Sequence, residues 1–132
     1  MYLLDTNTCI QIINRPTGPV AERFHRHQPH QLKVCSIVKS ELFYGARKSQ
    51  KVESNLERVK FFCAPLESLP FDDFCAEEYG QIKAVLASQG QLIGPNDLLI
   101  AALARTYDAI LVTNNTREFS RVIGLRLEDW QS

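Results

Sequence analysis

Short apolar runs alternate with longer amphipathic stretches along this chain, and the alternation keeps a regular order. Tyr2-Leu3-Leu4 is an apolar run that ends at Asp5. Thr6, Asn7 and Thr8 are good helix N-caps, and Cys9-Ile10-Gln11-Ile12-Ile13 then predicts a short helix, stopped by Asn14-Arg15-Pro16-Thr17-Gly18-Pro19. Residues 20–27 predict a second short helix with Val20, Ala21 and Phe24 on one side. Residues 32–38 (LKVCSIV) are rich in β-branched side chains and read as a strand. Ser36 or Ser40 is placed to cap the helix that begins at Glu41.

Further on, Val52, Leu56, Val59 and Phe62 recur at helical spacing through residues 52–63, and Ala64-Pro65 ends that helix. Residues 66–71 predict a short strand. Asp72 opens a long helix closed at Gln89-Gly90. Gly94-Pro95-Asn96-Asp97 opens another, with Pro95 near its first position. Residues 98–105 (LLIAALAR) are apolar nearly all round, so that helix is expected to be buried. Residues 109–113 (AILVT) predict a buried strand, residues 117–122 a short helix and residues 125–127 a last edge strand. Strands alternating with helices specify an α/β fold, a central mainly parallel sheet of four to five strands with helices on both faces. No repeat, linker or low-complexity tract interrupts residues 1–132, so one domain is expected.

Composition changes this picture little. Hydrophobic residues at 45% and charged residues at 23% exclude a disordered chain and allow a core without disulfides or structural metal. No apolar run approaches the roughly 20 residues needed to span a bilayer, and no signal peptide precedes Asp5; a cytoplasmic protein is expected. Cys9, Cys35, Cys63 and Cys75 form no C-x-x-C pair and sit among apolar residues, as reduced core thiols do. Formal net charge is zero, but residues 1–66 hold ten Lys or Arg and five acids, and residues 67–132 the reverse.

The candidate chemistry lies where the acids fall. In open parallel sheets, functional residues gather beyond the carboxyl ends of the strands. Asp5 ends the first strand, Glu41 starts the helix after the second, Asp97 starts the buried helix, and Asn114, Asn115 and Glu118 follow the fourth strand. Each acid also has an ordinary reading as a helix cap or first-turn charge. Yet Asp5 directly follows three apolar residues and Asp97 directly precedes seven, and acids adjoining a core are costly to desolvate without a cation or donors. Oxygen-only ligands suit magnesium or manganese rather than zinc. Such a site fits phosphodiester hydrolysis without a nucleophilic side chain. No P-loop or G-x-G-x-x-G is present. A phosphotransfer receiver domain would need a late lysine, and none follows Lys83.

The segments YLLDTNTCI, SIVKSELFYGA, IGPNDLLIAALA and ILVTNNTREFSRVIGL, in this order and spacing, resemble PIN-domain ribonucleases of the VapC toxin type. The resemblance implies a PIN-like three-layer fold and a magnesium-dependent endoribonuclease, the toxin of a type II toxin–antitoxin pair. It carries the metal-binding and catalytic acids onto Asp5, Glu41 and Asp97, with Thr6 and Thr113 in support. At the family's fourth acidic position stands Asn115, with Glu118 three residues on, which leaves two alternatives for that role. It further implies a VapB-like antitoxin that inserts a segment into the site, a homodimer, and an RNA substrate such as initiator tRNA cut in its anticodon loop. Arg15, Arg23, Arg26, Arg47, Lys48 and Lys51 are candidates for a phosphate-binding face, against the reading of an ordinary solvated surface. The amphipathic helix over residues 52–63 is a candidate dimer element or a core helix. His25, His27 and His30 fit no common zinc spacing and read as a polar loop or helix end. Trp130 reads as a packing or dimer-rim residue. Two rival functions share the chemistry or the fold: a PIN nuclease in RNA processing without a toxin role, and an inactive RNA-binding module that retains the fold.

Overall fold

The computed structural model describes residues 1–131. Five parallel strands, β1 (Tyr2–Leu4), β2 (Leu32–Cys35), β3 (Glu67–Leu69), β4 (Ile110–Val112) and β5 (Arg126–Glu128), pair in the order β3-β2-β1-β4-β5. Between them run α1 (Thr6–Asn14), α2 (Pro19–His25), α3 (Ser36–Arg47), α4 (Val52–Cys63), α5 (Asp73–Ser88), α6 (Pro95–Thr106) and α7 (Thr116–Phe119), with a 3₁₀ turn at Pro29–Gln31. The chain steps from β1 to β2 to β3 in one direction, then returns to β4 and β5 in the other. Right-handed crossovers therefore put α1–α4 on one face of the sheet and α5–α7 on the other. The α/β architecture expected from the hydrophobic pattern is the one observed, and β5 is an edge strand as its composition suggested.

The central strands are buried on both faces. Leu3, Leu4, Val34, Leu111 and Val112 have no exposed surface, and on α6 Ile100, Ala101, Ala102, Leu103 and Ala104 are buried almost completely. Small residues along α6 let it lie close to the sheet and to α5, against which it packs. Both long helices of this face end in a Schellman turn. Gln91 N–H bonds Leu86 O and Gly90 N–H bonds Ala87 O, with Gly90 at φ +64°. Ala109 N–H bonds Ala104 O and Asp108 N–H bonds Arg105 O, with Asp108 at φ 53°, and this turn aims the chain into β4.

Three local expectations are corrected. The strand expected over residues 32–38 stops at Cys35, because Cys35 is the extended N-cap of α3 and Ser36-Ile37-Val38 already form its first turn. Val38 is fully buried from a helix, so packing overrides its β-branched preference. Glu41 accordingly lies in the middle of α3 rather than at its start, and neither Ser36 nor Ser40 caps it. The N-cap of α1 is Asp5 rather than Thr6, Asn7 or Thr8, which lie inside the helix.

All four cysteines are buried and free. Val59 and Cys63 put α4 into the core, while Phe61 on its other side is exposed. Trp130 packs on Tyr2 (ring centroids 5.7 Å apart) and stacks on His27 (5.1 Å), and its indole N–H donates to Glu128. Trp130 thereby fastens the segment after β5 to β1 and to the segment after α2. Truncating this fully covered ring should cost about 3–5 kcal/mol, on the scale of large aromatic deletions in cores. Urea denaturation of Trp130→Ala checks it: a loss under about 1 kcal/mol would mean the ring is peripheral.

Candidate active site

The strand order reverses between β1 and β4, since the chain leaves β1 towards β2 and β4 towards β5. The crevice beyond the carboxyl ends of these two strands is the switch point where α/β sheets place their chemistry. Asp5 stands there. Its backbone N–H donates to Val112 O at 3.1 Å, continuing the β1–β4 pairing past the end of β1. Its carboxylate accepts from Thr8 N–H at 2.9 Å and so caps α1. Thr8 Oγ1 donates to Val112 O at 3.0 Å, which ties the first turn of α1 to β4. Thr8 escaped the sequence reading as a site residue; its spacing three after an acid that ends a strand is the N-cap signature that marks it.

Asp5 is 6% exposed. Burial pushes its carboxyl above the ordinary value; hydrogen bonds from Thr113 and Thr8 pull it down, and the charge of Glu41 raises it further. Thr113 has no exposed surface, and its hydroxyl accepts the Asn115 backbone N–H at 2.9 Å, which sets the course of the loop leaving β4. Glu41 reaches the same crevice from α3, where its Oε1 accepts from Thr6 Oγ1 at 2.6 Å. Thr6 and Thr113 thus each hold part of the cluster in place.

Asp97, in the first turn of α6, is pushed up to about 6, first by burial and then by the negative charges of Asp5, Glu41 and Glu118. Four carboxylates from four elements therefore share one field. Asn115 Nδ2 donates to Glu118 Oε2 at 3.2 Å, so the amide holds the acid instead of competing with it. Among the described residues no group of three or more His, Cys, Asp or Glu side chains is placed to hold a metal ion. The donor set is nonetheless all oxygen and strongly self-repelling, and magnesium needs only one or two direct carboxylates because it keeps several waters. The residues fit a hard divalent cation on that ground.

The basic candidates are distributed unevenly. Arg23 is engaged with Glu128 at 3.6 Å, with Asp129 O at 3.3 Å and with the face of Trp130, and Arg26 pairs with Glu22 at 3.1 Å. Arg15, Arg47 and Lys51 are exposed, and Lys48 lies over the Tyr44 ring at 5.0 Å. His27 bonds Arg23 O through Nδ1 and stacks on Trp130, a packing role, while His25 and His30 are exposed.

The Asp97 shift has a stability consequence. A carboxyl whose value rises from 3.8 to about 6 on folding holds its proton more tightly in the folded state. Its favourable contribution is full below the unfolded value and is lost as pH climbs through the folded one. In metal-free protein, Asp97→Asn should therefore flatten the stability profile between pH 3.8 and about 6 and raise the melting temperature at pH 7. Thermal denaturation in EDTA across that range measures it, and parallel profiles for the two proteins would contradict the shared field.

Comparison with known proteins identifies the family. The PIN domain pattern matches residues 2–125. The chain is 46% identical over 129 residues to the tRNA(fMet)-specific endonuclease VapC of Shigella flexneri, covering 98% of this chain and 97% of that protein. It is 45% identical over 129 residues to ribonuclease VapC2 of Haemophilus influenzae, with the same coverage. The toxin–antitoxin structure of DNA-bound VapBC from Salmonella typhimurium superimposes with a TM-score of 0.92 at 43% identity, over 98% of this chain and 97% of that one. The chain belongs to the PIN-domain family, among its VapC ribonucleases.

Proposed function

We propose that this protein is the ribonuclease toxin of a VapBC pair, a single PIN-like domain that hydrolyses RNA with magnesium at the β1–β4 crevice. The observation that carries the reading is the convergence of Asp5, Glu41, Asp97 and Glu118 on one field, in a chain of VapC lineage. Asp5 and Asp97 would hold the cation, with Glu41 completing the charge. Magnesium, or manganese in its place, would supply Lewis acidity and a more acidic water. The geometry favours Glu118 over Asn115 for the fourth acidic role, since Asn115 serves as its donor.

The chain's own residues divide the remaining work. Thr6 orients Glu41 and Thr8 orients Asp5. Water attacks phosphorus in line, the P–O3′ bond breaks, and the products carry a 5′-phosphate and a 3′-hydroxyl. Initiator tRNA, the substrate named for the Shigella flexneri relative, is the first RNA to test. A VapB-like antitoxin is the expected partner, in keeping with the VapBC structure from Salmonella typhimurium, and a homodimer is the expected toxin state. No helix among the described residues is long and apolar enough to cross a membrane.

Purified protein should cleave initiator tRNA with magnesium and stop in EDTA. Asp5→Ala and Asp97→Ala should each lose about a hundredfold or more, the scale of removing one electrostatic stabiliser of a transition state. Glu118→Gln should lose more than Asn115→Ala. Gel assays with end mapping read all of these, and full activity in Asp5→Ala or Asp97→Ala would sink the assignment of those residues.

A further inference from the structure

A cavity of about 230 Å³ opens between α1, α3 and α4, and Glu41 lines it. The carboxylate that faces Thr6 and the crevice is thus also the wall of a second space. Its apolar surface comes from Ile10 and Ile13 of α1 and from Gly45 and Ala46 of α3; Asn14, Asn55 and Arg58 supply its polar surface.

Two features show that this space is built. Gly45 sits inside a helix, where glycine is less favourable than alanine, yet a Cβ there would meet nothing within 4 Å. Packing does not require glycine at this position; its effect is to keep the cavity open one turn beyond Glu41. The second feature is Arg58. Arg58 is exposed, and its guanidinium donates to three neutral acceptors, Ile13 O at 2.8 Å, Asn55 Oδ1 at 3.3 Å and Asn14 Oδ1 at 3.4 Å; among the described residues it forms no ion pair with a carboxylate. A positioned cation without an anion suits a phosphate.

The volume lies below the roughly 300 Å³ at which pockets for drug-sized ligands begin, so it suits one ring system. Apolar walls, amide groups at the edge and a nearby guanidinium are what an unstacked nucleobase and its phosphate require. Beyond the cavity α3 leads to Arg47, Lys48 and Lys51, all exposed, which continue the positive surface.

We propose that the α1–α3–α4 cavity is a base-binding subsite, which takes one unstacked nucleobase of the RNA beside the scissile phosphate while Arg58 holds an adjoining phosphate. This rests on the ribonuclease reading and extends it to substrate recognition. Asn14 Nδ2 offers the amide donor for the base edge, while both ends of the Asn55 amide are engaged, Nδ2 donating to Ser49 Oγ at 2.9 Å and Oδ1 accepting from Arg58; Gly45 is the specificity-determining position because any side chain there enters the base's space.

The test separates this subsite from the activity itself. The four nucleoside 5′-monophosphates are titrated into the metal-free full chain, and amide signals of Gly45, Asn55 and Arg58 are followed by NMR. At least one nucleotide should shift them, and ribose 5-phosphate, which lacks a base, should bind at least tenfold more weakly. Gly45→Leu should abolish the response with its melting temperature kept, and should cut RNA cleavage at least tenfold, Gly45→Ala less. Equal binding of ribose 5-phosphate, or no shift with any nucleotide while the wild type still cleaves RNA, would overturn the subsite. So would unchanged cleavage by Gly45→Leu, including the case in which that variant loses only antitoxin affinity. Absence of cleavage by the wild type would instead count against the ribonuclease reading on which the subsite rests.

Discussion

The carbonyl of Val112 accepts two hydrogen bonds from the start of α1, one from the Asp5 backbone and one from the Thr8 hydroxyl. This carbonyl is where β4 ends, so both bonds join the two strands that bound the switch point. They prevent the first turn of α1 from lifting off the sheet, and the Asp5 carboxylate has no freedom to swing towards water. Desolvating a carboxylate is expensive. The cost is offset here by the Thr113 hydroxyl, by the Thr8 N–H, and by the amino end of α1. Every other acid of the site is placed relative to this fixed charge.

That placement draws on four separate elements, and the repulsion between them differs from an ordinary surface cluster. Asp97 lies in the first turn of α6, where the helix dipole favours negative charge, and is still pushed up to about 6. Burial, together with the combined field of Asp5, Glu41 and Glu118, outweighs the dipole. Glu41 comes from mid-helix and has no dipole to lean on; the Thr6 hydroxyl stands in for it. Asn115 restrains Glu118 by a side-chain bond across a single turn. Asp5, Glu41 and Glu118 are thus each held by a neutral donor on the chain, and among the described residues none of the four acids forms an ion pair with a lysine or arginine. The site keeps its negative potential available to an incoming cation.

The sequence made the strand and helix order legible because each element announces itself locally. Pro95 and Gly90 mark ends that the structure reproduces, and the apolar run of α6 is buried as its composition requires. The convergence of Asp5 and Asp97 was legible only as topology, since neither residue type nor spacing carries a distance. The misread span was Ser36-Ile37-Val38, where β-branched residues favour a strand but the core contact is made from a helix. That error moved Glu41 to the wrong part of α3. The role of Asn115 was open for a related reason: whether an amide ligates or supports depends on where Glu118 turns, and a four-residue helix gives no periodicity to read. The α1–α3–α4 cavity left no mark beyond a glycine in a helix.

A cluster of this kind links catalysis and restraint through one electrostatic quantity. Positive charge that enters the crevice relieves the repulsion among Asp5, Glu41, Asp97 and Glu118, whatever carries it. A hydrated divalent cation relieves it while keeping positions open for water and a phosphate oxygen. A guanidinium or ammonium from a partner would relieve it with donors alone and would offer no coordination site. The two would therefore compete for the same carboxylates with opposite outcomes. The acids need not be rearranged for the protein to be switched off, and the stiffness of the Val112 clamp is compatible with both states.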